Sequence, residues 1–177
     1  MKHRLSENRA LGVTALCCAI LVGVLGIGCA KVRAVAQAPA DYYRTSMSAD
    51  FAAREAAAGS LLALAEGNVD DSLLQSAQAA LDESCAAADD PAARYAAGLS
   101  LKTAVELLYN AMPADERDGQ GSPAQMAWSE FTSRTAILSH AVPEYNELAR
   151  TAAQKLSGFP AQLLADLAGA HTEEMTA

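Results

Sequence analysis

The amino-acid sequence predicts an all-α protein, with an N-terminal transmembrane helix followed by an elongated antiparallel bundle of about four helices. Three observations carry that reading. Residues 11–30, LGVTALCCAILVGVLGIGCA, run for twenty positions without a charge, and at about 1.5 Å per helical residue they match the roughly 30 Å hydrocarbon core of a bilayer. Alanine makes up about a quarter of the 177 residues while aromatics supply only 5%, a bias that favours closely packed helices over sheets. Beyond the apolar run, hydrophobic residues recur at three and four positions, and no stretch alternates with the two-residue period of a strand.

These features divide the chain into a basic tail (1–10), a transmembrane anchor (11–30), a stalk or linker (31–47), the bundle (48–169) and a polar C-terminal tail (170–177), which is expected to fray. Lys2, Arg4 and Arg9 against Glu7 leave the tail at +2, so the remainder carries about −10 of the overall −8 charge. A domain that acidic, with no basic stripe, repels phosphate and argues against nucleic acid as a partner. Cys17, Cys18 and Cys29 lie inside the apolar run, so Cys85 stands alone in the rest of the chain and no disulfide framework can form there.

The apolar run admits three fates. A cleaved signal peptide would use the small residues at Gly28-Cys29-Ala30 or Ala34-Val35-Ala36, but the run exceeds the usual 7–15 apolar residues. A lipid-modified Cys29 would require a Leu-like residue where Gly26 stands. The third is an uncleaved single-pass anchor in the cell membrane, and this is the expectation adopted. Ala15, Ala19 and Gly23 place small residues along one face of that helix, a pattern that lets two anchors pack closely and allows a homo-oligomer. Lys and Arg near the two ends tie in number, yet they are denser before the span, which places the bundle outside the cytoplasm.

In the stalk, Pro39 lacks a donor and disfavours helix at Ala38, so a kink or break is expected there. Ser48 is the expected N-cap of the first bundle helix, with Asp50 in its first turn. That helix carries Phe51, Ala58, Leu62 and Ala65 on one face with Leu61 beside it, and stops at Gly67-Asn68. Asp70 or Asp71 caps a second helix with Leu74, Ala77, Leu81 and Cys85 as its apolar stripe, which makes Cys85 a small buried hydrophobe. Asp90-Pro91 joins a cap to a first-turn proline and opens a third helix, with Ala97, Leu101, Ala104, Leu108 and Ala111 on its stripe. Met112-Pro113 ends it.

Residues 113–121, PADERDGQG, read as a loop. Ser122, Pro123 and Gln125 then supply a capping box for the last long helix, whose apolar face is Trp128, Phe131, Leu138, Val142, Tyr145, Ala149, Ala152 and Leu156. Pro143 should kink it. Gly158 ends it, Phe159-Pro160 turns the chain, and a short helix with Leu163, Leu164 and Leu167 stops at Gly169.

No catalytic or metal motif emerges from these residues. Asp70-Asp71, Asp82-Glu83 and Asp89-Asp90 stand mostly where helix caps belong. Aligning Gly119 with the glycine of a calcium loop puts Ala114 at the first ligand position and Gln125 where a bidentate Glu is needed. His3, His140 and His171 are scattered, and no HExxH, GxSxG, Walker or GxGxxG sequence occurs. The expectation is a protein without enzymatic activity, cofactor or metal.

The stretch from Phe131 to Gly169 resembles the C-terminal signature of the LemA family, in which a Tyr-Asn pair on a long helix is followed by Phe-Pro and a short Leu-Ala-Gly segment. The matching positions are Tyr145, Asn146, Phe159, Pro160, Leu164, Ala165 and Gly169, and Arg54 falls on the family's Arg-containing first bundle helix. The chain departs from the family where Thr151-Ala152-Ala153 replaces a second Asn, and at Pro143. The resemblance implies a single-pass membrane protein with a helical bundle, and it brings no catalytic residues. Tyr145 and Phe159, four helical turns apart, are expected to share the core face as a structural lock, with Leu163 and Leu167 folding back over the helix end. The functional expectation is a protein-interaction module or scaffold that engages the lipid bilayer and an unidentified membrane or envelope protein. The alternatives are a self-associating protein that shapes membrane, and a cleaved or lipid-anchored bundle.

Overall fold

Side-chain caps open several helices of the computed structural model, which describes residues 2–117, 119 and 121–176, without the side chains of 2–12, 14, 17–21 and 24. The described residues are all-α and contain no strand. In order they form α1 (Lys2–Tyr42), a π-helical turn (Tyr43–Met47), α2 (Ser48–Ala65), α3 (Asp71–Ala86), α4 (Pro91–Ala111), the one-turn α5 (Ala114–Arg117) within the expected loop, α6 (Pro123–Leu156) and α7 (Ala161–Ala168). Asp70 accepts from the Ser72 amide at 2.8 Å, and Asp90 from the amides of Ala92 and Ala93, each at 3.1 Å. At the start of α6, Ser122 Oγ accepts from the Gln125 amide and the Gln125 side chain reaches back to the Gly121 amide. These are the caps that the sequence predicts.

The chain divides into two units, Met1–Ala38 with Thr151–Thr172, and Pro39–Arg150 with Glu173–Ala177. In the larger one, four helices share a core: Ala58, Leu61 and Leu62 of α2, Ala77 and Ala80 of α3, Leu101, Val105 and Leu108 of α4, and Ala124 and Phe131 of α6. Trp128 stacks on Tyr109 at 4.5 Å between ring centroids and on Phe131 at 5.9 Å. A second cluster joins Tyr43, Met47 and Phe51 to Leu138, Val142, Tyr145, Ala149 and Met175.

Several expectations for this unit need correction. Pro39 does not break the chain, because α1 continues through it to Tyr42 and passes directly into the π turn. Ser48 is therefore not an N-cap: its amide bonds back five residues to the Tyr43 carbonyl, and its hydroxyl donates to the Arg44 carbonyl that this bond leaves free. α6 continues as one helix through Pro143, which leaves room for the kink expected there. On α3 the buried face is Ala77, Ala80 and Ser84, so Cys85, one residue further round the helix, is exposed. The C-terminal tail is not frayed at Met175, which is only 2% exposed.

The smaller unit has its own core, in which Val32 of α1 meets Leu156 of α6 and Ala165 of α7, with Val35, Ala36, Leu164 and Ala168 packed around them. Here Phe159 departs most from expectation: it is 89% exposed. The helical phase that would have aligned it with Tyr145 ends at Leu156, and Gly158 at φ +89° swings the chain away before Phe159 is reached. Leu163 and Leu167 are exposed as well, because α7 turns its opposite side, Leu164, Ala165 and Ala168, toward α1. Gly169 closes α7 in the left-handed conformation, with the Ala170 amide bonding five residues back to Ala165 as in a Schellman cap.

Among the described residues no helix is long and apolar enough to cross a membrane. Nearly half of the expected anchor, 11–30, lies among the residues whose side chains fall outside the description, Ala19 of the small-residue face included. Of that face, Ala15 and Gly23 are exposed.

Candidate functional site

Two arrangements stand out in the larger unit. One is a buried ionic cluster on α2 that periodicity does not single out. Arg54 and Glu55 are 3% and 8% exposed, although a run of Arg and Glu on a helix ordinarily marks its solvated face. Arg94 of α4, itself buried, donates to both oxygens of Glu55 through Nε, at 2.9 Å, and Nη2. Ser84 of α3 donates to the same carboxylate at 2.6 Å. The remaining Arg94 nitrogen, Nη1, donates to the Tyr43 hydroxyl at 2.8 Å, which in turn donates to the Ala88 carbonyl. Burial by itself would raise the Glu55 pKa, but the hydrogen bonds from Arg94 and Ser84 outweigh it and hold the carboxyl below its ordinary value. Burial also opposes the charge of Arg94, and the bonds to Glu55 and Tyr43 overcome it and raise its pKa.

Arg54 has no such partner. Its Nε and Nη2 are buried without a hydrogen bond among the described residues, and burial lowers its pKa against the opposing pull of Glu55. Its guanidinium faces the ring of Phe51 at 5.1 Å, and Arg94 faces the same ring at the same distance. The other side of Arg54 abuts Gly98 of α4, where a Cβ would fall 2.1 Å from Nη2. Gly98 is thus the space in which the guanidinium lies. The cluster holds two buried cations against one anion, with the aromatic face standing in for the missing acceptor.

The second arrangement is a clamp. Asn146 Nδ2 donates to the Met175 carbonyl at 2.8 Å and its Oδ1 accepts from the Met175 amide at 2.7 Å, so one side chain satisfies both backbone groups of the tail residue. Arg150 adds an ion pair to Glu174 at 3.0 Å. Replacing Asn146 with alanine should cost about 1–3 kcal/mol, the penalty for orphaning buried hydrogen-bonding groups. Hydrogen exchange at the Met175 amide checks this directly: its protection should vanish in Asn146→Ala, and retained protection would show that packing alone holds the tail.

The family-like residues therefore do not form one site. Arg54, Tyr145 and Asn146 belong to the larger unit, with Tyr145 buried; Phe159, Pro160, Leu164 and Gly169 belong to the smaller one, where Pro160 precedes α7, Leu164 packs on α1 and Gly169 caps. Two shallow grooves cross the bundle, one of 330 Å³ between α2 and α3 around Leu62 and Leu74, the other of 290 Å³ between α4 and α6 around Lys102 and Thr135. In the second groove the hydroxyls of Thr132, Thr135 and Ser139 donate to carbonyls of their own helix, and Glu106 pairs with Lys102. Among the described residues no three His, Cys, Asp or Glu side chains converge as metal ligands. No family model matches the chain, and no curated protein or solved structure matches it either.

Proposed function

We propose that this chain is a membrane-anchored, LemA-like helical-bundle protein that acts at the cell envelope as a protein-interaction module or scaffold, without catalysis. The observation that carries the reading is the uncharged run 11–30, which lies within α1 and exposes Val13, Leu16, Val22, Leu25 and Ile27. Large apolar side chains gathered on one exposed helix are costly in water and favourable in lipid. A long acidic domain does not resist translocation, and the basic residues that precede the run favour an extracytoplasmic bundle. The bundle's surfaces are what it offers a partner, and its acidity disfavours nucleic acid in that role.

Carbonate washing of membranes tests the anchor: the protein should stay in the pellet, and recovery of a soluble form beginning near Lys31 or Gln37 would overturn it. Crosslinking in intact membranes separates the interaction module from the self-associating alternative. A single foreign partner supports the module; a ladder of homo-oligomers supports self-association, which the exposed Ala15 and Gly23 favour.

A further inference from the structure

We infer that α7 is an interfacial lipid-contact element, with Phe159, Leu163 and Leu167 seated in the headgroup and acyl boundary of an anionic bilayer. The inference rests on the anchor reading and adds to it a second point of membrane contact, far along the chain from the first. Three observations within the smaller unit support it. Phe159, Leu163 and Leu167 follow one another at four-residue steps and are 89%, 58% and 71% exposed, a row of large apolar side chains that the fold leaves uncovered.

The height of α7 along α1 is the second observation. Leu164 approaches Gly28 so closely that a Cβ there would meet Leu164 Cδ1 at 2.8 Å, and Ala165 and Ala168 pack near Val32, Val35 and Ala36. Gly28 immediately follows the exposed Ile27 at the end of the apolar run. If the run fills the hydrocarbon core, the next eight residues rise about 12 Å, which carries them through the headgroup layer. α7 packs on the end of the run at Gly28 and on Val32, Val35 and Ala36 of that segment, which sets its exposed row at the depth where amphipathic helices bind.

Charge is the third. The smaller unit carries Lys2, Arg4, Arg9, Lys31, Arg33 and Lys155 against two acids, Glu7 and Asp166, the latter beside Phe159 and Leu163, whereas the chain as a whole stands at −8. An apolar row borne by a net basic unit of an otherwise acidic protein fits anionic headgroups.

Tryptophan fluorescence in vesicles tests the idea, because the chain has one Trp, Trp128, which lies in the larger unit. The full-length chain carrying Trp128→Phe and Leu163→Trp would be reconstituted into phosphatidylcholine and phosphatidylglycerol vesicles with brominated acyl chains, and compared with the parent chain. The new Trp should lose roughly half its emission to bromines placed high on the chains, since an interfacial helix buries its apolar face about 5–10 Å into the boundary, while Trp128 in the parent keeps its emission. Carbonate extraction of the same vesicles separates the two ideas. Retention with quenching supports both. Retention without quenching overturns the interfacial role and leaves the anchor standing, and a blue-shifted but unquenched Trp would mean that protein, such as a second copy, covers the row. Extraction would overturn the anchor and this inference with it.

Discussion

Replacing Arg94 with methionine should destabilise the larger unit by about 3–5 kcal/mol, the range for removing one partner of a buried ion pair and leaving the other charge uncompensated. The magnitude follows from what Glu55 would lose. Both of its oxygens accept from Arg94, and after the substitution only the Ser84 hydroxyl remains on a carboxylate 8% exposed. The Tyr43 hydroxyl loses a donor in the same step. Combining Arg94→Met with Glu55→Leu should recover little of the loss, because it removes the carboxylate that offsets buried Arg54; adding Arg54→Met, which leaves no charge stranded, should recover much of it. Urea unfolding of the three variants measures this. A cost below about 1 kcal/mol for Arg94→Met would place the pair among weak, solvent-screened bridges. The same geometry sets a pH dependence. Since the Glu55 pKa is lowered in the folded protein, its stabilisation is present above the ordinary carboxylate pKa and is lost as pH falls through the depressed native value. Glu55→Gln should lack that part of the acid sensitivity.

Phe51→Ala should be of similar size, about 3–5 kcal/mol, as for emptying other core aromatic sites. Phe51 is fully buried between the packing of Tyr43, Met47 and Tyr145 and the two guanidinium groups that face its ring. Its removal therefore opens a cavity and also strips Arg54 of the electron-rich surface that serves it in place of an acceptor. The second effect can be isolated. Phe51→Leu keeps much of the volume and loses the ring, and it should cost less in an Arg54→Met background than in the parent, a coupling that a double-mutant cycle reads out. Equal costs in both backgrounds would show that the ring acts on Arg54 only as filler.

Sequence reading succeeded where the governing physics is local. The caps at Asp70, Asp90 and Ser122 are formed by bonds two to four residues long, and each lies where its residue type and spacing place it. The α6 face was legible for a related reason: Phe131, Leu138, Val142, Tyr145, Ala149, Ala152 and Leu156 are large or well-spaced enough to outline one stripe, and all are buried. On α3 the signal was weak, because in an Ala-rich helix several faces are almost equally apolar. A long-range bond decided the phase there, Ser84 turning inward to Glu55 in preference to Cys85. Arg54 and Glu55 were illegible as core residues, since their burial depends on Arg94, forty residues away, and on the vacancy at Gly98. Phe159 was misplaced because one glycine at positive φ breaks a periodicity that the residue letters continue.

The π turn keeps angular time for the helix that contains it. Tyr43, Met47, Phe51 and Glu55 are all buried and follow at steps of four, and in an ordinary α-helix each such step overshoots a full turn by about 40°, so three of them would carry the row about 120° around the axis. A turn with more residues absorbs part of that drift, so that Tyr43 reaches the guanidinium which α2's own Glu55 also binds. The segment between Tyr43 and Met47 thus behaves like a leap day in a calendar: deleting a single residue there would leave every side chain chemically intact and put the hydroxyl and the carboxylate on different dates.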